Sequence, residues 1–211
     1  MTIRIRCDDI MVDSTSFSRD RAIKRVMQLH RWMDQAPKGY FNYIPTVIVG
    51  EMIDWPEITD LLRHETAAHK ISPQIHGLHH VDYGSLDKET IREHLGLCMT
   101  WFKDTLWYEP TIWATPWGGW SRDMEEVASE FNLTLETTRP TISIGRCIDL
   151  CKTEGVETVR YSSPLVLIHW WEKGLKLLRL TEIVKNGSYE AAVVARPDLF
   201  GDMKIEKKHK V

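Results

Sequence analysis

Two carboxylates, Asp8 and Asp9, stand side by side after Cys7, and His76 and His80 follow much later, separated by Gly77, Leu78 and His79. One carboxylate oxygen and two neutral imidazole nitrogens make three ligands for a divalent cation. They leave positions open for water and a substrate oxygen, as catalytic zinc sites do. Adjacent residues leaving a strand point in different directions, so one aspartate can reach a metal while its neighbour faces a bound water. That division is what metal-assisted hydrolysis requires. Zinc is the first choice of metal, although two histidines and one carboxylate also describe a non-haem iron oxygenase site. The spacing is that of the zinc-peptidase H-E-x-x-H, but Gly77 stands where that motif has its glutamate base, which leaves Asp8 as the replacement.

These residues need elements to hold them. Ile3 and Ile5 alternate with Arg4 and Arg6, which predicts a short strand ending at the two aspartates. A second strand is predicted over Ile71 to Ile75, delivering His76, and a helical turn after it would put His80 on the same face. Arg19 to Met33 has the apolar spacing of an amphipathic helix, stopped by Pro37-Lys38-Gly39. Then come a strand at Thr46 to Val49, a helix from Pro56 to about His69, a helix from Leu86-Asp87 to about Thr105, a strand at Thr111 to Thr115, and a helix capped by Ser121. Repeated β–α units predict a parallel sheet or barrel, with the functional side chains at the carboxyl ends of the strands.

With these residues in place, the chain resembles the polysaccharide deacetylases, metal-dependent carbohydrate esterases with a distorted, TIM-like (β/α) barrel. The family motif T-F-D-D gives a base and then a ligand, which fall on Asp8 and Asp9. Its H-[S/T]-x-x-H gives the other two ligands, on His76 and His80. Its R-x-P-[Y/F]-G is similar to Ala114-Thr115-Pro116-Trp117-Gly118, which implies a backbone N–H of Trp117 as oxyanion donor. Its L-x-H is reproduced by Leu167-Ile168-His169, which implies His169 as general acid. A helix-like Leu175 to Lys185, a turn at Gly187 and a strand-like Ala191 to Ala195 are similar to the family's closing helix and strand, so the likeness spans roughly residues 3 to 196.

The chain also departs from the family. Ala114 replaces the arginine that steadies the catalytic aspartate, and Ile10 replaces the glycine after the aspartate pair. The D-x-x-D-W motif, whose aspartate tunes the acid, is absent; Asp149 or Glu136 are its candidate substitutes, and Arg139 is the candidate for the missing arginine. What the resemblance implies is a divalent metal, zinc first, and removal of acetyl groups from an N- or O-acetylated carbohydrate. A non-catalytic glycan-binding relative, a metal-dependent amide hydrolase on a non-sugar substrate and an iron-dependent oxidation are the alternatives.

Trp113, Trp117, Trp120, Trp170 and Trp171 flank the two late motifs, where flat apolar faces could stack on sugar rings. Trp117 and Trp120, beside glycines, fit a groove best; Trp113 and Pro116 join them as expected substrate contacts, while packing is an equal reading for Trp113 and Trp170. With 43% hydrophobic residues, the 211-residue chain is long enough for one catalytic domain over 1–200, followed by a charged tail at 201–211. A net charge of −3, with basic residues dispersed except for Lys204 to Lys210, argues against a nucleic-acid partner. Met1 leads straight into the first strand, and no apolar run reaches membrane-spanning length, so a soluble cytoplasmic protein without a membrane partner is expected. Cys7, Cys98, Cys147 and Cys151 lack paired C-x-x-C spacing and read as reduced thiols.

Overall fold

The structure is a computed structural model that describes residues 1–10, 18–137, 142–169 and 174–200. Among these residues the strands are β1 (Ile3–Ile10), β2 (Phe41–Ile48), β3 (Gln74–Gly77), β4 (Ile112–Ala114), β5 (Thr134–Glu136), β6 (Ile142–Ser143) and β7 (Leu165–His169). They form one sheet in the order β5-β4-β3-β2-β1-β7-β6 with every neighbouring pair parallel. Helices α1 (Arg19–Asp34), α2 (Pro56–Ala67), α3 (Lys88–Trp101) and α4 (Arg122–Glu130) link successive strands from β1 to β5.

Alternation along β1 sets the two sides of the sheet. Ile3, Ile5 and Cys7 share one face, are fully buried, and join Ala22, Val26 and Leu29 of α1 in a single apolar core. Each such aliphatic side chain contributes about 1.5–3 kcal/mol by leaving water. Arg4, Arg6 and Asp8 take the opposite face. In a flat sheet β1 and β5 would lie about 19 Å apart at the usual strand spacing. Yet Arg6 Nη1 of β1 sits 3.1 Å from Glu136 Oε2 of β5. The sheet is therefore curled into a half-barrel with Arg6, Asp8 and Glu136 on its inner wall, in keeping with the distorted (β/α) barrel that the sequence predicts.

Local chemistry sets the helix starts. Asp87 accepts from Thr90 N at 2.9 Å, Ser121 Oγ from Met124 N at 3.3 Å, and Pro56 occupies the first turn of α2. After α3 the chain widens into a π turn at Phe102–Leu106 and leaves it through Trp107 in a left-handed conformation (φ 51°).

Several predicted elements differ. β2 begins at Phe41, five residues before the predicted start; Pro45 conceals it by interrupting the strand pattern, and is tolerated opposite Cys7, where the β1–β2 register shifts. β3 begins at Gln74 rather than Ile71, after Pro73, so His76 lies inside the strand. Residues 78–80 form a bend, not a helical turn, and the two histidines meet across it. The predicted closing strand over Ala191 to Ala195 is a helix, α8 (Tyr189–Ala195), after α7 (Gly174–Asn186). Ser188 Oγ accepts from Ala191 N at 3.1 Å, and burial of Ala192 beside a highly exposed Val194 is helical, not alternating. A five-residue apolar run carries too little periodicity to decide this. Between β6 and β7 lie α5 (Ile144–Thr153) and α6 (Val156–Tyr161), and α9 (Pro197–Phe200) ends the described chain. Cys147 and Cys151 share the buried face of α5, and all four cysteines are free thiols. The tail from residue 201, Arg139, Trp170 and Trp171 lie outside the described residues.

Candidate metal centre

Asp8 and His169 face each other in register on the adjacent strands β1 and β7, and Ala114 pairs with Glu136 on β4 and β5. One rung at the carboxyl ends of the strands thus supplies the inner wall of a cavity of about 530 Å³, lined by Asp8, Asp9, His76, His80, Trp117 and His169 among others. Strict alternation would send Asp9 outward with Cys7. Instead β1 carries one extra residue between Cys7 and Ile10, and Asp9 adopts a left-handed backbone (φ 62°), which brings both carboxylates to the same cavity. That conformation costs a non-glycine residue about 1–3 kcal/mol, the kind of strain found where geometry serves a site.

Asp9 Oδ1 lies 2.8 Å from His76 Nε2 and 3.1 Å from His80 Nε2. The three ligand atoms fall within 4.8 Å of one another. The tautomer of His76 tests whether a cation belongs among them. Its Nδ1 is 2.5 Å from the carbonyl oxygen of Ala114, a group that can only accept, so Nδ1 carries the proton. Neutral His76 then turns a bare Nε2 lone pair toward the Asp9 carboxylate, acceptor against acceptor. Only a positive charge between them relieves this, a proton or a metal ion, and a histidine oriented by a backbone carbonyl is a usual metal ligand. Burial pushes the Asp9 carboxyl up, but positive charge at His76 and His80 outweighs it and holds Asp9 well below the usual carboxylate range, as an anion, and a cation among the three would act in the same direction. The residues present fit a divalent cation.

The histidine bend is pinned from below. Tyr83 Oη accepts from Leu78 N at 2.8 Å and from His79 N at 3.4 Å. A β-carbon on Gly77 would come within 2.8 Å of the Tyr83 hydroxyl, so glycine is what lets the ring close under the bend. His79 turns away to stack edge-on with His94, ring centres 5.4 Å apart, and is not one of the three grouped ligands.

Asp8 is anchored by groups that sequence reasoning missed. Arg6 grips it side-on, with Nε 2.8 Å from Oδ1 and Nη2 donating to Oδ2 at 2.9 Å, and Thr46 Oγ1 of β2 donates to Oδ1 at 2.9 Å. Burial works against the Arg6 charge, but Asp8 and Glu136 overcome it and its pKa is raised. The signal was present in the alternation of β1, which places Arg6 and Asp8 on one face. Glu136, expected as a tuner of His169, has Arg6 as its ion-pair partner. Asp149 lies on α5 beside Lys152, 3.4 Å away. His169 Nε2 stands 3.5 Å from Asp9 Oδ2, with its side chain 28% exposed.

Trp117 is 70% exposed at the cavity rim, with φ 53° and its ring edge-on to His80 at 4.6 Å between centres. The other expected substrate contacts fall elsewhere. Trp113 is fully buried in the core and donates its indole N–H to the His76 carbonyl at 3.3 Å, so a sugar cannot reach its face. Its alternation with Ala114 on β4 puts it on the helix-covered side. Pro116 is buried and does not line the cavity. Trp120 is exposed but also lies outside the lining, its indole N–H donating to Glu125 Oε1 at 2.9 Å.

Comparison with solved structures places this architecture. The family 4 carbohydrate esterase from Streptomyces lividans, solved with acetate, is 12% identical, with a TM-score of 0.56 over 92% of this chain and 88% of that one. The peptidoglycan deacetylase PdaC from Bacillus subtilis is 11% identical, with a TM-score of 0.54 over 93% and 91%. A family 4 carbohydrate esterase pseudoenzyme from Bacillus anthracis is 10% identical, with a TM-score of 0.55 over 95% of this chain and 60% of that one. No curated protein sequence matches the chain. The polysaccharide deacetylase family profile matches residues 30–135, half of the chain, from α1 through β5. By that match and by the fold it shares with these esterases, the chain belongs to the polysaccharide deacetylase family.

Proposed function

We propose that this chain is a metal-dependent hydrolase that removes acetyl groups from an N- or O-acetylated carbohydrate, with residues 1–200 as its single catalytic unit. The observation that carries the reading is the convergence of an anionic Asp9 with two histidines, one with its lone pair fixed inward, beside an anchored second carboxylate in one cavity. Asp9, His76 and His80 would hold the cation, and zinc suits two imidazoles and one carboxylate. Such a cation, when bound, supplies Lewis acidity toward the acyl carbonyl and toward water.

The remaining chemistry belongs to the chain. Asp8, held by Arg6 and Thr46, takes the proton of the attacking water. The backbone N–H of Trp117 meets the negative charge that develops on the acyl oxygen. His169, across β1 and β7 from Asp8, gives a proton to the departing amine or hydroxyl. The exposed face of Trp117 at the rim offers a platform for the sugar ring. Among the described residues no helix is long and apolar enough to cross a membrane, and a net charge of −3 argues against a nucleic-acid partner.

A glycan-binding relative without turnover is the second reading, favoured by Ala114 at the arginine position and by the likeness to a pseudoenzyme. Metal content and acetate release from acetylated chito-oligosaccharides and acetylated xylan, measured for wild type, Asp8→Asn and His76→Ala, decide between them. The deacetylase reading expects metal in wild type and Asp8→Asn, and acetate from wild type alone. Metal without acetate on any substrate supports the binding reading, and no metal at all overturns the site.

A further inference from the structure

Arg6 is only 5% exposed, inside the half-barrel, and it faces two carboxylates from opposite sides of the curl. Nη2 donates to Asp8 Oδ2 at 2.9 Å and Nε lies 2.8 Å from Oδ1, a fork in which Nε is an ion contact without hydrogen-bond alignment, while Nη1 stands in the same kind of contact 3.1 Å from Glu136 Oε2, four strands away. A guanidinium can do this because its donors lie in one rigid plane, and an ammonium cannot. A buried ion triad is weak evidence for stability, since apolar packing of equal volume often does as well. Its value here is orientation: with Thr46 on Oδ1, Asp8 has both oxygens fixed and its free edge turned to the cavity.

We propose that Arg6, braced by Glu136, is the positioning residue for Asp8, so that the base of the site is held from its own strand and from β5 rather than from β4. The inference rests on the deacetylase reading for its kinetic consequence and on geometry alone for its structural one. Glu136 aims the guanidinium: it fixes Nη1, and the plane of the fork follows. Ala114 pairs with Glu136 in the β4–β5 register and presents only a methyl group, so nothing from β4 competes for either carboxylate. The same register makes Ala114 the neighbouring position from which an arginine would stand beside Glu136 if Arg6 were removed.

The test uses the zinc-loaded full chain. Arg6→Lys keeps the charge and the fold but loses the fork; kcat for 4-nitrophenyl acetate and for acetylated chito-oligosaccharide is expected to fall about 10- to 100-fold, the cost of a loosened catalytic group. KM and zinc stoichiometry stay unchanged. Moving the guanidinium back to β4, in Arg6→Met combined with Ala114→Arg, is expected to recover part of the lost kcat relative to Arg6→Met. The crystal structure of Arg6→Lys needs no turnover: the Asp8 carboxylate is expected to leave Thr46 or to occupy two rotamers. Full kcat with Asp8 unmoved, or a loss confined to KM or zinc content, overturns the proposal and leaves Arg6 as a core ion pair. If wild type releases acetate from no substrate, the deacetylase reading fails, and the crystal structure alone decides whether Arg6 positions Asp8.

Discussion

Replacing His30 by leucine should remove a specific part of the acid sensitivity of this fold. His30 lies on α1, is buried in the core with its ring edge-on to Tyr43 at 5.1 Å, and neither ring nitrogen has a hydrogen-bond partner among the described residues. Burial holds its pKa down at about 4 against an ordinary 6.5; Glu65 and Asp34 pull upward, and Lys70 sides with burial. The folded value lies below the unfolded one, so as pH falls the unfolded chain takes up this proton first. The stability contributed by neutral His30 is therefore complete at pH 8 and is lost between about 6.5 and about 4. At 1.36 kcal/mol per pKa unit, the loss reaches about 2 kcal/mol at pH 5 and about 3 kcal/mol below pH 4. Urea unfolding of wild type and His30→Leu at pH 8 and pH 5 reads the difference directly, other titrations being common to both. Wild type should lose about 2 kcal/mol more than the variant between the two pH values. Equal losses would refute the assignment of a buried neutral histidine.

Two further predictions concern the site. Tyr83→Phe strips the acceptor from Leu78 N and His79 N, and should cost about 1–2 kcal/mol of stability and weaken zinc binding about 10-fold, measured by competition with a chromogenic chelator; unchanged affinity would mean the bend holds itself. Trp117→Gly keeps the backbone N–H and suits the left-handed conformation, so turnover of 4-nitrophenyl acetate should stay within about 3-fold while KM for an acetylated oligosaccharide rises about 10-fold with loss of the ring; a collapse of both activities would show that the indole does more than bind sugar.

Much of this site was legible because its ligands sit where periodic elements end. The alternating Ile-Arg-Ile-Arg run delivered Asp8 and Asp9, and the apolar run from Leu165 delivered His169, to the same edge of the sheet. What alternation could not show is a departure from itself. Asp9 shares the cavity only through a bulge and a left-handed residue, and His80 returns through a bend held by Tyr83, a contact between residues whose types carry no such signal. Trp113 was misplaced for the converse reason: motif proximity suggested a groove, whereas its parity on β4 sends it into the core. For the arginine missing at Ala114 the sequence offers Arg139, which lies outside the described residues, but a curled sheet makes β1 and β5 neighbours across the inside, so Glu136 and Arg6 meet where a linear reading has no reason to join them. The closing α8 failed as a strand because a short apolar segment fits both periods, and only its Ser188 cap separates them.

Acetate release during a titration of metal-free protein with zinc tests the central claim most directly, using acetylated chito-oligosaccharide with wild type and His76→Ala in parallel. The account predicts that release rises with added zinc, saturates at about one equivalent as expected for a single three-ligand site, and is absent in His76→Ala. Release that ignores zinc, or persists in His76→Ala, would contradict a mechanism built on Asp9, His76 and His80.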